Sequence, residues 1–251
     1  MTTATAFIFF LLGLIFGSFF NVVGLRLPKN IPFAADRSIC PVCKHQLSWY
    51  ENIPLLSFFI QHGKCRHCGE RISVMYPAIE LLTGMLFASA FYIVGLQLEI
   101  ITALLLISML MIILVSDLKY MLIPNKVLLF FLPFFIFLRF VVPLSPWWSA
   151  AAGAVIGFAI IFIIILISRG AMGAGDMKLF GVVGIVLGMD QILVAFFLSC
   201  LLGAAIGTFL LSFKLIDRKQ PVPFGPYIAF AVLITYFYGN SLTTWYLNLL
   251  I

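Results

Sequence analysis

The chain is made of long stretches almost without charge. Residues 6–25 read AFIFFLLGLIFGSFFNVVGL, and further apolar runs occupy 76–94, 100–115, 123–142, 148–168, 179–188, 191–213 and 224–238. About 20 apolar residues cross a bilayer as a helix, because backbone N–H and C=O groups find no water there and must pair within the segment. The pattern predicts an all-α polytopic membrane protein with about eight transmembrane helices. With 63% of residues hydrophobic and 10% charged, an ordinary soluble domain is excluded.

Charge placement sets the orientation. The net charge is +6, and on the eight-helix reading 14 of the 15 basic residues fall on one side, with Arg139 alone on the other. Basic loops stay in the cytoplasm, so the polar segment 27–74 is predicted to be cytoplasmic. No basic cluster is interleaved with exposed aromatics, so the charge points to the lipid bilayer and not to direct nucleic-acid binding. The run 6–25 has no basic residue before it, which fits a retained helix with its N-terminus outside better than a cleaved signal. The resulting division is a first transmembrane helix at 1–26, a cytoplasmic loop domain at 27–75 and a transmembrane domain at 76–251, in a multi-pass protein of the cytoplasmic membrane.

Four of the five cysteines form two CxxC turns, Cys40/Cys43 and Cys65/Cys68, inside that loop. On the reducing side of a membrane, paired CxxC turns read as a metal site, and four thiolates close a tetrahedral structural zinc. A catalytic zinc would need His45, His62 or His67 in place of a cysteine; these read better as ordinary loop residues. Asp36, Glu51 and Glu70 read as solvated, and Cys200, in an apolar run, as packing.

Acidic residues are scarce where the chain is apolar, so those found there stand out. Asp117 ends the run 100–115, Asp176 lies in Gly173-Ala174-Gly175-Asp176, and Glu80 is about one turn into 76–94. An acid at membrane depth is costly and faces a bundle interior or a watery cavity. On the inner-side assignment Asp117 and Asp176 share one depth. Two close carboxylates in a low dielectric cannot both ionise comfortably and share a proton, the arrangement with which aspartic proteases activate water. The alternative is that each caps a helix start, with Asp176 opening the helix Met177 to Leu187 and Asp117 pairing with a nearby lysine. Glu80 is either a paired structural charge or part of a substrate or cofactor pocket. A transporter using Asp117, Asp176 and Glu80 for a cation or for protons is a further reading. The GxxxG pairs Gly13/Gly17, Gly153/Gly157, Gly184/Gly188 and Gly203/Gly207 serve helix packing.

Together these residues resemble the bacterial prepilin peptidases, membrane aspartic peptidases that cleave type IV prepilins and pseudopilins. The resemblance covers nearly the whole chain: Gly17-Ser18-Phe19-Phe20-Asn21-Val22-Val23 and Arg26-Leu27-Pro28, the two CxxC turns, Glu51-Asn52-Ile53-Pro54, Tyr76-Pro77 with Glu80, Asp117 with Ile123-Pro124-Asn125, and Gly173 through Lys178. MYPAIELLTG and MLIPN look most like the competence-type enzymes of Gram-positive bacteria. The resemblance implies that Asp117 and Asp176 are the catalytic pair, acting at the cytoplasmic face on prepilin helices. It also implies a second activity, transfer of a methyl group from S-adenosylmethionine to the new N-terminus, with Arg37, Asn52 and Glu80 as candidate cofactor-binding residues.

Overall fold

The computed structural model describes residues 2–32, 38–40, 42–168, 172–214 and 222–250, and the chain divides into two compact units, Met1–Val115 and Ser116–Ile251. The described residues are nearly all helical; β-structure among them is confined to the isolated bridges Ile39↔Gln46 and Lys64↔Arg71. Among the described residues five helices are long and apolar enough to cross a membrane: α1 (Thr2–Arg26), α3 (Met75–Val94), α4 (Glu99–Tyr120), α6 (Ser149–Ile167) and α7 (Ala174–Ser212). The short α2 (Leu56–Ile60), the 17-residue α5 (Asn125–Val141) and α8 (Gly225–Leu250) complete the set.

In the first unit α1 packs along α3 through its glycines. A Cβ on Gly13 would lie 2.7 Å from the Gly84 Cα, and one on Gly17 would lie 2.8 Å from the Glu80 Cα. Lipid tails are as apolar as leucine, so close backbone approach, not exclusion from water, drives such contacts. Asn21 Nδ2 adds a hydrogen bond to the Tyr76 carbonyl at 3.1 Å. The cysteine turns, two short 3₁₀ turns and α2 lie between α1 and α3 in sequence.

In the second unit α7 doubles back. It runs for 39 residues, but Gly188 inside it has φ 80° and ψ 179°. The Phe180 and Phe196 rings are 6.0 Å apart, whereas 16 residues along a straight helix span about 24 Å. The two limbs are therefore antiparallel, as the separate runs 179–188 and 191–213 predict. The turn falls at Gly188 and not at Met189-Asp190, because a positive φ is readily adopted only without a Cβ. Ser149 Oγ accepts the Met189 N–H at 3.1 Å and secures the turn.

Arg139, the basic residue on the far side, is buried. Its Nη2 donates to the Val186 carbonyl at 2.7 Å. That carbonyl belongs to the last turn before Gly188, where helix C=O groups lose their intrahelical partners and the helix dipole is negative. The arginine caps the first limb of α7.

The α6–α7 crossing is closer still. A Cβ on Gly153 would collide with the Gly184 carbonyl oxygen, and one on Gly184 with that of Gly153. Gly153→Val is expected to cost about 3 kcal/mol or more, at the upper end of overpacking costs. A thermal unfolding midpoint in detergent measures it; an unchanged midpoint would show that the two backbones do not meet at this crossing.

Candidate active site

Three helix ends of the second unit meet at two carboxylates. α4 continues to Tyr120, so Asp117 sits in its last turn and not in a loop. The helix stops where Met121 takes φ 52° and its N–H bonds the Asp117 carbonyl at 2.8 Å, a left-handed C-terminal cap. Ser116 Oγ donates to the Leu122 carbonyl at 2.6 Å and folds the connection back on the helix end. Ile123 then rests on the start of α7: a Cβ on Gly175 would lie 3.0 Å from the Ile123 Cβ. The glycine before Asp176 is thus where two chain segments approach.

Asp176 accepts the Gly173 N–H at 3.1 Å through Oδ2, so it does cap its own helix, as the alternative reading held. It is nevertheless only 8% exposed, and Asp117 only 6%, whereas a cap with no other role normally faces water. Asp117 Oδ2 accepts the N–H of Gly225, the first residue of α8, at 2.8 Å. Asp117 and Asp176 are brought to one place by that bond and by Ile123, six residues after Asp117, which rests on Gly175 beside Asp176. Each keeps oxygen lone pairs beyond its one backbone bond, so the pair is equipped to hold a water and exchange protons with it.

Gly225 is the residue that sequence reading missed. A Cβ there would lie 2.7 Å from Asp117 Oδ2 and 2.9 Å from its Cγ. The available signal was local: in Phe224-Gly225-Pro226, a glycine stands beside the proline that opens the last helix.

The four cysteine sulfurs of the first unit lie within 4.8 Å of one another. Cys40 and Cys68 are 3.8 Å apart and Cys43 and Cys65 4.0 Å, matching the edge of about 3.8 Å expected for a tetrahedron with 2.3 Å Zn–S bonds. The two turns repeat one design. Cys40 N–H bonds the His45 carbonyl at 2.9 Å and Cys65 N–H that of Glu70 at 2.8 Å, while Lys44 and Gly69 return N–H bonds to the first cysteine of each turn. Those two residues take φ 59° and 73°. The N–H groups of Cys43 and Val42 hold the Cys40 thiol down at about 7. Cys68, although favoured by the Glu70 N–H, is pushed up to about 12 by desolvation and by the three other sulfurs. Four such thiols ionise together once a dication is among them, so the site fits a metal ion.

The histidines are not needed as ligands. The His45 and His67 rings lie with centroids 3.5 Å apart, tilted by 33°, and His45 Nε2 lies 4.0 Å from Glu51 Oε2. Glu51 corrects an expectation: it is 7% exposed, not solvated, and accepts the Ser48 N–H at 2.8 Å. It has been drawn in as half of a capping box that starts a 3₁₀ turn.

Of the three residues considered for a cofactor, Arg37 lies outside the described residues. Asn52 is exposed, with Nδ2 3.4 Å from the Ser48 carbonyl. Glu80 is buried; it accepts the Leu55 N–H at 2.9 Å and a hydrogen bond from the Ser18 side chain. Leu55, three residues after Asn52, has φ 59°, a conformation costly for a residue with a Cβ, and Glu80 fixes it. Asn21 of α1, bonded to the carbonyl of Tyr76 one turn before Glu80 on α3, is 1% exposed with its Oδ1 unpartnered.

Comparison with known proteins agrees across both units. Residues 11–94 match the Bacterial Peptidase A24 N-terminal domain and residues 104–208 the Type IV leader peptidase family. The prepilin leader peptidase/N-methyltransferase of Bacillus subtilis (strain 168) is 44% identical over 242 residues, 96% of this chain and 98% of that protein. Proteins of the same name from Vibrio cholerae and Aeromonas salmonicida are 34% and 33% identical; the alignments cover 92% and 95% of this chain, and 95% and 92% of theirs. No solved structure matches the chain.

Proposed function

Because this chain belongs to the type IV leader peptidase family, we propose that it is a membrane aspartic endopeptidase that removes the leader of prepilins or pseudopilins, with Asp117 and Asp176 as its catalytic pair. The observation that carries this reading is the burial of both carboxylates in one unit, each held by a single backbone N–H at a helix end. The ionised member takes a proton from water as the oxygen attacks the scissile carbonyl carbon. The neutral member gives its proton to the carbonyl oxygen. Collapse of the tetrahedral intermediate breaks the C–N bond: the departing amine takes the proton that the first aspartate drew from water, and a hydroxyl proton of the intermediate returns to the other aspartate, which restores the starting pair. The basic residues of 27–74 support cleavage at the cytoplasmic face under the positive-inside rule, and cleavage leaves a free α-amine.

That amine is the acceptor for the second proposed activity, N-methylation. S-adenosylmethionine supplies an electrophilic methyl group when bound. Glu80, Asn52 and the orphaned Oδ1 of Asn21 are the groups of the first unit suited to hold its ammonium and hydroxyls; Arg37 is proposed with them from the family resemblance alone. Cys40, Cys43, Cys65 and Cys68 would hold a structural zinc that shapes this loop.

The test is mass spectrometry of a cognate prepilin incubated with the enzyme in lipid nanodiscs, with and without S-adenosylmethionine. Leader loss in both reactions, and one added methyl only with the cofactor, is the expected result. An intact leader overturns the peptidase; leader loss with no methyl overturns the transferase alone. In the same assay Gly225→Ala, whose new methyl would push the Asp117 carboxylate aside, is expected to slow leader loss about 10²-fold, the usual cost of a 1 Å misplacement. A wild-type rate would show that Gly225 does not position Asp117.

A further inference from the structure

The second unit carries a groove of about 690 Å³ between α5, α6 and α7, well away in character from the carboxylate site. Its walls are apolar except at one end, where Lys178 and Asn125 close it; Lys178 Nζ donates to Asn125 Oδ1 at 3.1 Å. Among the described residues Lys178 is the only charged one lining it. We propose that this groove binds one acyl chain of an anionic phospholipid whose phosphate sits on Lys178.

Three features choose this occupant. The α7 wall is the stripe Lys178, Gly181, Val182 and Ile185, which lies about 140° to 240° around the helix from Asp176 at 100° per residue. The groove is therefore on the back of the helix that presents Asp176, where a scissile segment cannot reach the carboxylates. Its length, from Asn125 to Leu132 on α5 and from Lys178 to Ile185 on α7, is about 10 Å at 1.5 Å per residue. That fits within one leaflet, about 15 Å of hydrocarbon, and is too short for a membrane-crossing helix. Finally, the ammonium stands at the mouth near the start of α7, two residues after Asp176, and a lysine at a helix end near the bilayer surface attracts anionic lipid. The floor at Gly181 leaves room for the chain, and the exposed Leu129 and Val155 form the rims.

The consequence for the enzyme is a lipid that braces α5 and α6 against the helix start carrying Asp176. Binding is read without any prepilin, so its failure and failure of the peptidase reading are separate results. Native mass spectrometry of the detergent-purified protein, titrated with phosphatidylglycerol or phosphatidylcholine, is the measurement. The parent is expected to retain one phosphatidylglycerol about fivefold more readily than phosphatidylcholine, and Lys178→Gln to lose that preference. Gly181→Leu, which fills the groove, is expected to lose both lipids, with an unchanged circular dichroism spectrum as the check that it is folded. A photoreactive residue at Leu129 is expected to capture phospholipid. No preference in the parent, equal retention by both variants, or capture of a second copy at Leu129 would overturn the proposal.

Discussion

Replacing Asp117 or Asp176 by asparagine is expected to abolish leader removal, with kcat falling about 10⁴-fold for either change, the scale seen when one member of a catalytic unit is removed. Asparagine keeps the shape and the acceptor oxygen, so Asp117→Asn still receives the Gly225 N–H and Asp176→Asn still receives that of Gly173. What it cannot do is take a proton from water or deliver one to a carbonyl. KM should stay within a few-fold, because substrate binding does not use the proton. A drop in kcat with KM unchanged, and an unchanged thermal midpoint, separates lost chemistry from lost structure. Either variant cleaving at close to the parent rate would exclude that aspartate from the reaction.

The second large effect concerns the cysteine loop. The protein is expected to carry one zinc per chain by elemental analysis, and Cys65→Ser to carry almost none. Structural zinc in small cysteine sites contributes an apparent binding free energy of about 10–16 kcal/mol near pH 7, and the segment between α1 and α3 is too short to build much core of its own. With the metal gone, the sulfurs at 3.8–4.0 Å have nothing to bind them, and the turns should open. Trypsin should then cut at Lys64 and Arg66 much faster than in the parent. Methylation should fail with the loop. Full zinc content in Cys65→Ser, or equal protease resistance, would show that these four residues do not form the metal site.

How much of this was legible beforehand depended on how local the physics was. A carboxylate in an apolar run is too costly to be incidental, so Asp117, Asp176 and Glu80 stood out without any knowledge of packing. Two CxxC turns declare their chemistry by spacing alone, and the metal-type geometry at Cys40, Cys43, Cys65 and Cys68 needed only that the turns meet. The places where reading stopped are those set by contacts far along the chain. Gly188, Met189 and Asp190 are all plausible turn residues, and only the approach of α6 at Ser149 selects Gly188. Arg139 stood against the charge rule because its partner, the Val186 carbonyl, becomes available only when α7 breaks. Glu51 looked like any loop acid until its cap drew it inward. Gly225 sits 108 residues from the aspartate it holds, and nothing in its neighbourhood names Asp117. The helix count was constrained by apolar length, whereas the pairings of α6 with α7 and of α1 with α3 followed from glycines whose partners the pattern alone does not identify.

The central claim is that Asp117 and Asp176 work as one unit on a prepilin bond. Single-turnover cleavage of a cognate prepilin by the parent, both asparagine variants and the double variant, all in the same nanodiscs, tests it most directly. Residues acting together are not additive, so the double variant is expected to be no slower than either single one. Losses that multiply in the double variant, or cleavage that survives in one of the singles, would contradict a shared catalytic pair.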